Sequence, residues 1–285
     1  MGKRYNPQAD IAILRRRAAQ ERQFAVRASG LAAKYEGKPP VDGLQPFYDK
    51  MAALQRRIED RHLAAAEMHE AHLVRLERWL GEPEMIMRPT FLSTVAAMLG
   101  VPFAAAALGG VERGPLAVAA SDATAWAAQE LERVLDEGPT LVAATQGTPV
   151  MAAGSAMFDR WPRYGPAVAE LGVRAVIAAP LRLSATCFGA LCAYERTPAI
   201  GADVAAGAEV MAEAMAQSVL DGGIPGPLAD DGFQPRIHQA AGMISVYHDC
   251  SIGDAEALLR AHAFAESRLV ADVASDVIEH RTRLA

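Results

Sequence analysis

Three histidines share one stretch of the chain: His62, His69 and His72, with Glu67 and Glu70 beside the last two. Imidazoles and carboxylates at helical spacing are the raw material of a zinc, nickel or haem site. The spacing matches no strong metal motif, since in "HEAH" (69–72) the histidines are three residues apart and the zinc-protease pattern H-E-x-x-H sets them four apart. The expectation is three histidines on the polar surface of a helix, and no metal. Cys187 and Cys192 are five residues apart in "CFGALC". On one continuous strand an odd separation puts them on opposite faces, so they do not pair. Little charge lies nearby to lower a thiol pKa, which favours buried inert cysteines over a redox-sensing thiol. No lysine follows Lys50 and no G-x-S-x-G appears, so Schiff-base, P-loop and nucleophile-elbow chemistry are not expected. The sequence reads as a non-enzyme without a cofactor.

A different kind of candidate lies near the C-terminus. "IHQAAGMI" (237–244) reads as helix, yet it contains Gly242. A glycine there costs about 1 kcal/mol relative to alanine. Ile237, Ala240, Ala241, Ile244 and Tyr247 define the core face, which leaves Gly242 on the opposite face beside His238 and Ser245. A glycine on an outward face admits the close approach of another backbone, either phosphate–sugar or a second protein chain.

These residues need elements to hold them. Helix is expected over 8–35 and again over 47–80, separated by the proline-rich "EGKPPVDGLQP" (36–46). Phe47, Met51, Leu54, Ile58, Ala65 and Met68 form a near-heptad stripe. It suits a hairpin packed on itself and a dimerising coiled coil equally. From Gly81 onward, short apolar strands alternate irregularly with helices, which indicates α+β rather than a doubly wound fold. "DGGIPGPLADDG" (221–232) is a linker by composition. Three short amphipathic helices follow, the second opening at "SIGD", where Ser251 can cap. They make a small bundle.

Charge is uneven. Residues 1–80 carry fifteen Lys/Arg against ten Asp/Glu, residues 81–230 eight against sixteen, and the last 55 residues five against eight. No apolar run approaches the ~20 residues of a membrane span, and the first ten residues lack a signal-peptide core. With three sparse cysteines, this reads as a soluble cytoplasmic protein.

The segment 237–278 resembles an ANTAR domain. The resemblance rests on Gln239-Ala240-x-Gly242, then "SIGDAEALLRAHA", then "RLVADVASDVI", in order and at the family's spacing. The centre resembles a GAF domain through "ASDATAWAAQELERVLDEGP", "DRWP" (159–162), "LGVRAVIAAPLRL" and "FGAL" (188–191). The N-terminal helices match no family motif; with them, the expected α+β chain has four parts: a helical hairpin or coiled coil (1–80), a GAF-like sensor with an antiparallel sheet and flanking helices (81–222), a linker (223–232) and a three-helix ANTAR bundle (233–285). The resemblance implies a homodimer that binds paired RNA hairpins in a nascent transcript and prevents termination, with a GAF domain that senses a small molecule or redox state, or simply dimerises. His238, Gln239, Gly242, Arg260 and Arg268 would meet RNA, and Trp126, Met151, Phe158 and Trp161 would line the ligand pocket. Ala241 stands where the family commonly has lysine, removing a cation near the RNA surface. Counterion release then relies on Arg236, Arg260, Arg268, Arg281 and Arg283, with the basic run "LRRRAAQER" (14–22) as another source of charge. The competing reading is a ligand-binding or protein-interaction scaffold whose bundle only dimerises.

Overall fold

The computed structural model describes residues 7–39, 41, 43–82, 89–108, 117–183, 186–220, 234–250, 252–266, 268, 270–279 and 281. Two long helices come first, α1 (Pro7–Glu36) and α2 (Gln45–Gly81), packed as an antiparallel hairpin. On α1 the buried positions are Ile11, Leu14, Ala18, Glu21, Ala25, Ala28 and Ala32. Their intervals alternate between three and four residues, which is a heptad seam. Alanine at most of these positions lets the two helix axes approach closely. The seam is filled within one chain. The expected stripe on α2 divides: Ala65 and Met68 are buried, whereas Phe47 and Leu54 are 53% and 48% exposed. The basic run faces carboxylates of the partner helix. Arg15 pairs with Glu77 at 2.5 Å and Arg22 with Glu70 at 2.6 Å. These exposed pairs set the antiparallel register more than they add stability.

The centre begins with α3 (Phe91–Leu99). Thr90 caps it by accepting from the Ser93 amide at 3.0 Å, and Gly100 ends it at φ 70°. Strands β1 (Phe103–Leu108), β2 (Ala117–Ala120), β3 (Val150–Ala153), β4 (Ala175–Leu183) and β5 (Thr186–Glu195) form one antiparallel sheet, ordered β2-β1-β5-β4-β3. Both faces are covered, so the strands read as continuous apolar runs. Ala104, Ala106, Ile177, Ala179, Leu181, Leu191 and Ala193 face α2, α3 and α8 (Ala202–Leu220). Phe103, Ala105, Val176, Ala178, Cys192 and Tyr194 alternate onto the opposite face. There they meet α4 (Ala123–Leu135), α5 (Pro139–Gln146), α6 (Ser155–Arg160) and α7 (Tyr164–Glu170). Gly189 of "FGAL" has a physical reason: a Cβ there would overlap the Ala107 carbonyl oxygen on the neighbouring strand.

The stretch "DATAWAAQELERVLDEGP" reads as helix up to Gly138-Pro139; the helix ends slightly earlier, at Leu135, and a separate helix follows from Pro139. Asp136 turns the chain in the left-handed region at φ 49°, ending α4, and Pro139 opens α5 at its first turn. The C-terminal segment forms α9 (Gln234–His248), α10 (Ile252–Glu266) and α11 (Val270–Ile278), which pack on one another through Ile237, Ala240, Ala241, Ile244, Leu259, Val273 and Val277. Tyr247 was expected on that core face and is instead 68% exposed. It lies a full turn past the last core residue of α9, Ile244. The proposed cap, Ser251, lies outside the described residues. Among the described residues, no helix is long and apolar enough to cross a membrane.

Candidate functional site

The inner face of α4 carries Ala125 and Ala128, but its apolar run is interrupted by Gln129 and Glu132, both buried. This interruption is the origin of a polar cluster inside the central domain. The Glu132 carboxyl reaches the N-terminus of α5, where its Oε2 accepts from the Thr140 amide at 2.9 Å and the Leu141 amide at 3.3 Å. Its Oε1 is 2.8 Å from the Thr140 hydroxyl, which lies 2.9 Å from Cys192 Sγ. Gln129 Nε2 donates to the Thr140 hydroxyl at 2.8 Å and to the Tyr194 hydroxyl at 2.7 Å. Gly138 makes room for this arrangement, because a Cβ there would overlap the Glu132 side chain.

Burial without a cation raises the Glu132 pKa to about 8, although four hydrogen bonds oppose the shift. At neutral pH it is therefore a carboxylic acid. Protonated on Oε1, it donates to Thr140, whose own proton is then free to point at Cys192. Burial also pushes the Cys192 thiol and the Tyr164 and Tyr194 phenols upward. Cys192 is thus a protonated, inert thiol, in line with its sequence reading. The Tyr164 hydroxyl lies beside Tyr194 and has no hydrogen bond of good geometry. The cluster offers hydrogen-bonding capacity without charge.

The four aromatic and sulfur residues expected to line a pocket are divided among three environments. Trp161 is 2% exposed and packs edge-on to Tyr164 within the interior cluster. Met151 and Phe158 are 53% and 44% exposed, on the open edge strand β3 and on α6. Trp126 does not face the interior at all. It points out from the other side of α4, into an apolar cluster with Ile237, Ala240 and Leu259 of the C-terminal helices. Successive residues 125 and 126 lie about 100° apart around a helix, so one turns inward and the other outward.

The three histidines are buried, contrary to the surface placement expected. The face of α2 that carries them is enclosed by α1 and α3. His62 Nδ1 lies 2.6 Å from Glu21 in the α1 seam, and His72 Nδ1 lies 3.0 Å from the Thr94 hydroxyl. His69 packs against Phe91, and burial, helped by the charge of Arg17, lowers its pKa to about 4. Among the described residues, no three His, Cys, Asp or Glu side chains converge as metal ligands.

On α9, Gln239 is exposed, and nothing lies within 4 Å of where a Gly242 Cβ would stand. Ala241 is fully buried in the bundle core, so a lysine at this position would start from the interior. This corrects the idea that alanine there strips a cation from the outer surface. The side chains of His238 and Arg260, and Arg283, lie outside the described residues. Arg268 is bound by carboxylates of its own bundle, at 2.5 Å to Asp276 and 3.0 Å to Glu266, and Arg281 pairs with Asp276 and Glu279.

A five-stranded antiparallel sheet with an enclosed inner face and a cover of short helices is the architecture of the central domain, and its family match is to a sensory or ligand-binding module. Residues 88–219 match the family model of the GAF domain, and the chain contains a GAF domain there. The match falls within the central segment and includes every residue of the polar interior. No curated protein matches the chain.

Proposed function

We propose that this chain is a cytoplasmic, homodimeric regulator. In this reading, the ANTAR-like bundle binds paired RNA hairpins in a nascent transcript and prevents transcription termination. The GAF domain receives the controlling signal, a small molecule, or serves as the dimerising module. The observation that carries the reading is the outward face of α9, where an exposed Gln239 sits beside the open surface over Gly242. A glutamine amide can hydrogen-bond an unstacked base on its edge, and a bare helix backbone admits the sugar–phosphate chain. His238 and Arg260 share the bundle and complete the set of RNA contacts, with Arg268 joining when RNA phosphate displaces its carboxylates. Transcription in vitro across a terminator preceded by two hairpins tests this. The protein should raise read-through, and Gln239→Ala and Gly242→Ala should abolish the gain. Equal read-through with and without protein, in the presence of cell extract as a source of signal, would overturn it.

One observation favours a second reading. Arg268 and Arg281 are already neutralised by Asp276, Glu266 and Glu279, which leaves fewer cations for counterion release. A bundle of this kind suits a scaffold that pairs with a second copy and binds no RNA. Its mark would be a dimer that loses self-association, with no change in RNA behaviour, when the outer face of α9 is altered.

A further inference from the structure

The helix α4 is buried on two sides. Its inner face places Gln129 and Glu132 in the polar interior. Its outer face places Trp126, 5% exposed, and Val134 in the apolar cluster of the C-terminal bundle, and α10 packs directly on it. Between these faces Glu130 is fully buried and takes a hydrogen bond from Arg133 at 2.7 Å. The contact surface continues onto the sheet edge, where Ala107 of β1 and Val118 of β2, opposite one another in the register, join the same cluster. A domain that acted alone would leave this face in water, and a buried tryptophan is a large apolar contribution to a docking contact. Gln239 and the space over Gly242 remain open while the bundle is docked. The contact therefore fixes how the bundle is held and does not cover its outer face.

We propose that α4 is the coupling element of the protein: a change in the hydrogen-bonded interior of the GAF domain is transmitted through this helix to the C-terminal bundle docked on Trp126. The inference rests on the reading of the GAF domain as sensor and the bundle as output. Its physical basis is close packing. A helix held on both faces cannot shift to accommodate one neighbour without displacing the other. The restraint at the far end is specific, since the Glu132 carboxyl ties the C-terminal turn of α4 to the start of α5, and Gln129 ties its middle to β5 through Tyr194.

Hydrogen–deuterium exchange of the full chain, read by peptide with no RNA present, tests the coupling. Thr140→Ala removes the hydroxyl that joins Glu132, Gln129 and Cys192. It should raise exchange in α9–α11 several-fold, although the hydrogen bonds of Thr140 run to Glu132, Gln129 and Cys192 inside the central domain. Trp126→Ala should do the same. In the Trp126→Ala background, Thr140→Ala should still loosen α5 and add nothing in the bundle, because the transmitting contact is gone. If Thr140→Ala does not fold, Gln129→Met, of similar volume and without amide donors, is read in its place. Exchange that changes only in α4 and α5, or effects of the two substitutions that simply add in the bundle, would overturn the proposal. Because RNA is absent, this outcome is independent of whether the bundle binds RNA.

Discussion

Glu132→Gln should remove most of the alkaline sensitivity of this protein. The carboxyl has an ordinary pKa of 4.5, and burial raises it to about 8 in the folded chain. Across that interval the folded state holds a proton that the unfolded state has released. Stability contributed by the neutral acid is therefore complete below about pH 4.5 and is lost as pH rises toward 8. Each pH unit in the window costs about 1.4 kcal/mol, so the full crossing costs roughly 5 kcal/mol. Glutamine copies the neutral acid toward α5: its carbonyl accepts from the Thr140 and Leu141 amides and its amide donates to the Thr140 hydroxyl, with only the longer 3.2 Å contact from Gln129 Nε2 lost. The variant should match the wild type near pH 5 and exceed it by several kcal/mol at pH 8.5. Urea unfolding midpoints at half-unit steps from pH 5 to 9 measure this directly. A wild type whose stability is flat or rises over that range, or a variant that keeps the wild-type slope, would refute the reasoning.

The acid side behaves oppositely. His69 titrates at about 4 when folded against an ordinary 6.5, so its contribution is present above 6.5 and is lost as pH falls toward 4. This is roughly 3 kcal/mol that His69→Leu should spare in urea midpoints at pH 4.5 relative to pH 7. Gly138→Ala should destabilise by about 1–3 kcal/mol in the same assay, because its methyl group would overlap the Glu132 side chain. Gly242→Ala should stabilise the bundle by up to about 1 kcal/mol, since the methyl meets open space, while weakening RNA binding at least ten-fold. A stabilised variant with unchanged affinity would remove Gly242 from the RNA surface.

The elements were legible where the periodicity was unbroken. The two long helices, the five apolar strands and the three C-terminal helices all follow from spacing and from Pro/Gly punctuation. The short helices α5, α6 and α7 were not legible. Each has six to eight residues, too few for a 3.6-residue period to show; Gly138-Pro139 marks the end of α4 in the sequence, but not that a second helix opens at Pro139. The histidines misled because α2 is flanked by charge in sequence, while α1 and α3 close over it in space. The polar interior was hidden for a related reason. In the sequence Gln129 and Glu132 are polar residues of a plain helical stretch, with nothing to mark them as buried. Only the fold shows that α4 has two buried faces, and that "DATAWAAQELERV" serves the interior with one and the bundle with the other. The signal available in the sequence was the phase of Glu132, one turn from Ala128 and on its side of the helix.

The most direct test of the central claim is binding of the purified full-length protein to an RNA carrying two adjacent hairpins. It is measured at two salt concentrations, with a loop-scrambled RNA of equal length as control. The account predicts tight binding that depends on the loop sequences and weakens with salt by only a few phosphate contacts, given that Arg268 and Arg281 are already paired with carboxylates. Binding that is absent, or the same for scrambled loops, in the presence as well as the absence of cell-extract small molecules, would contradict it.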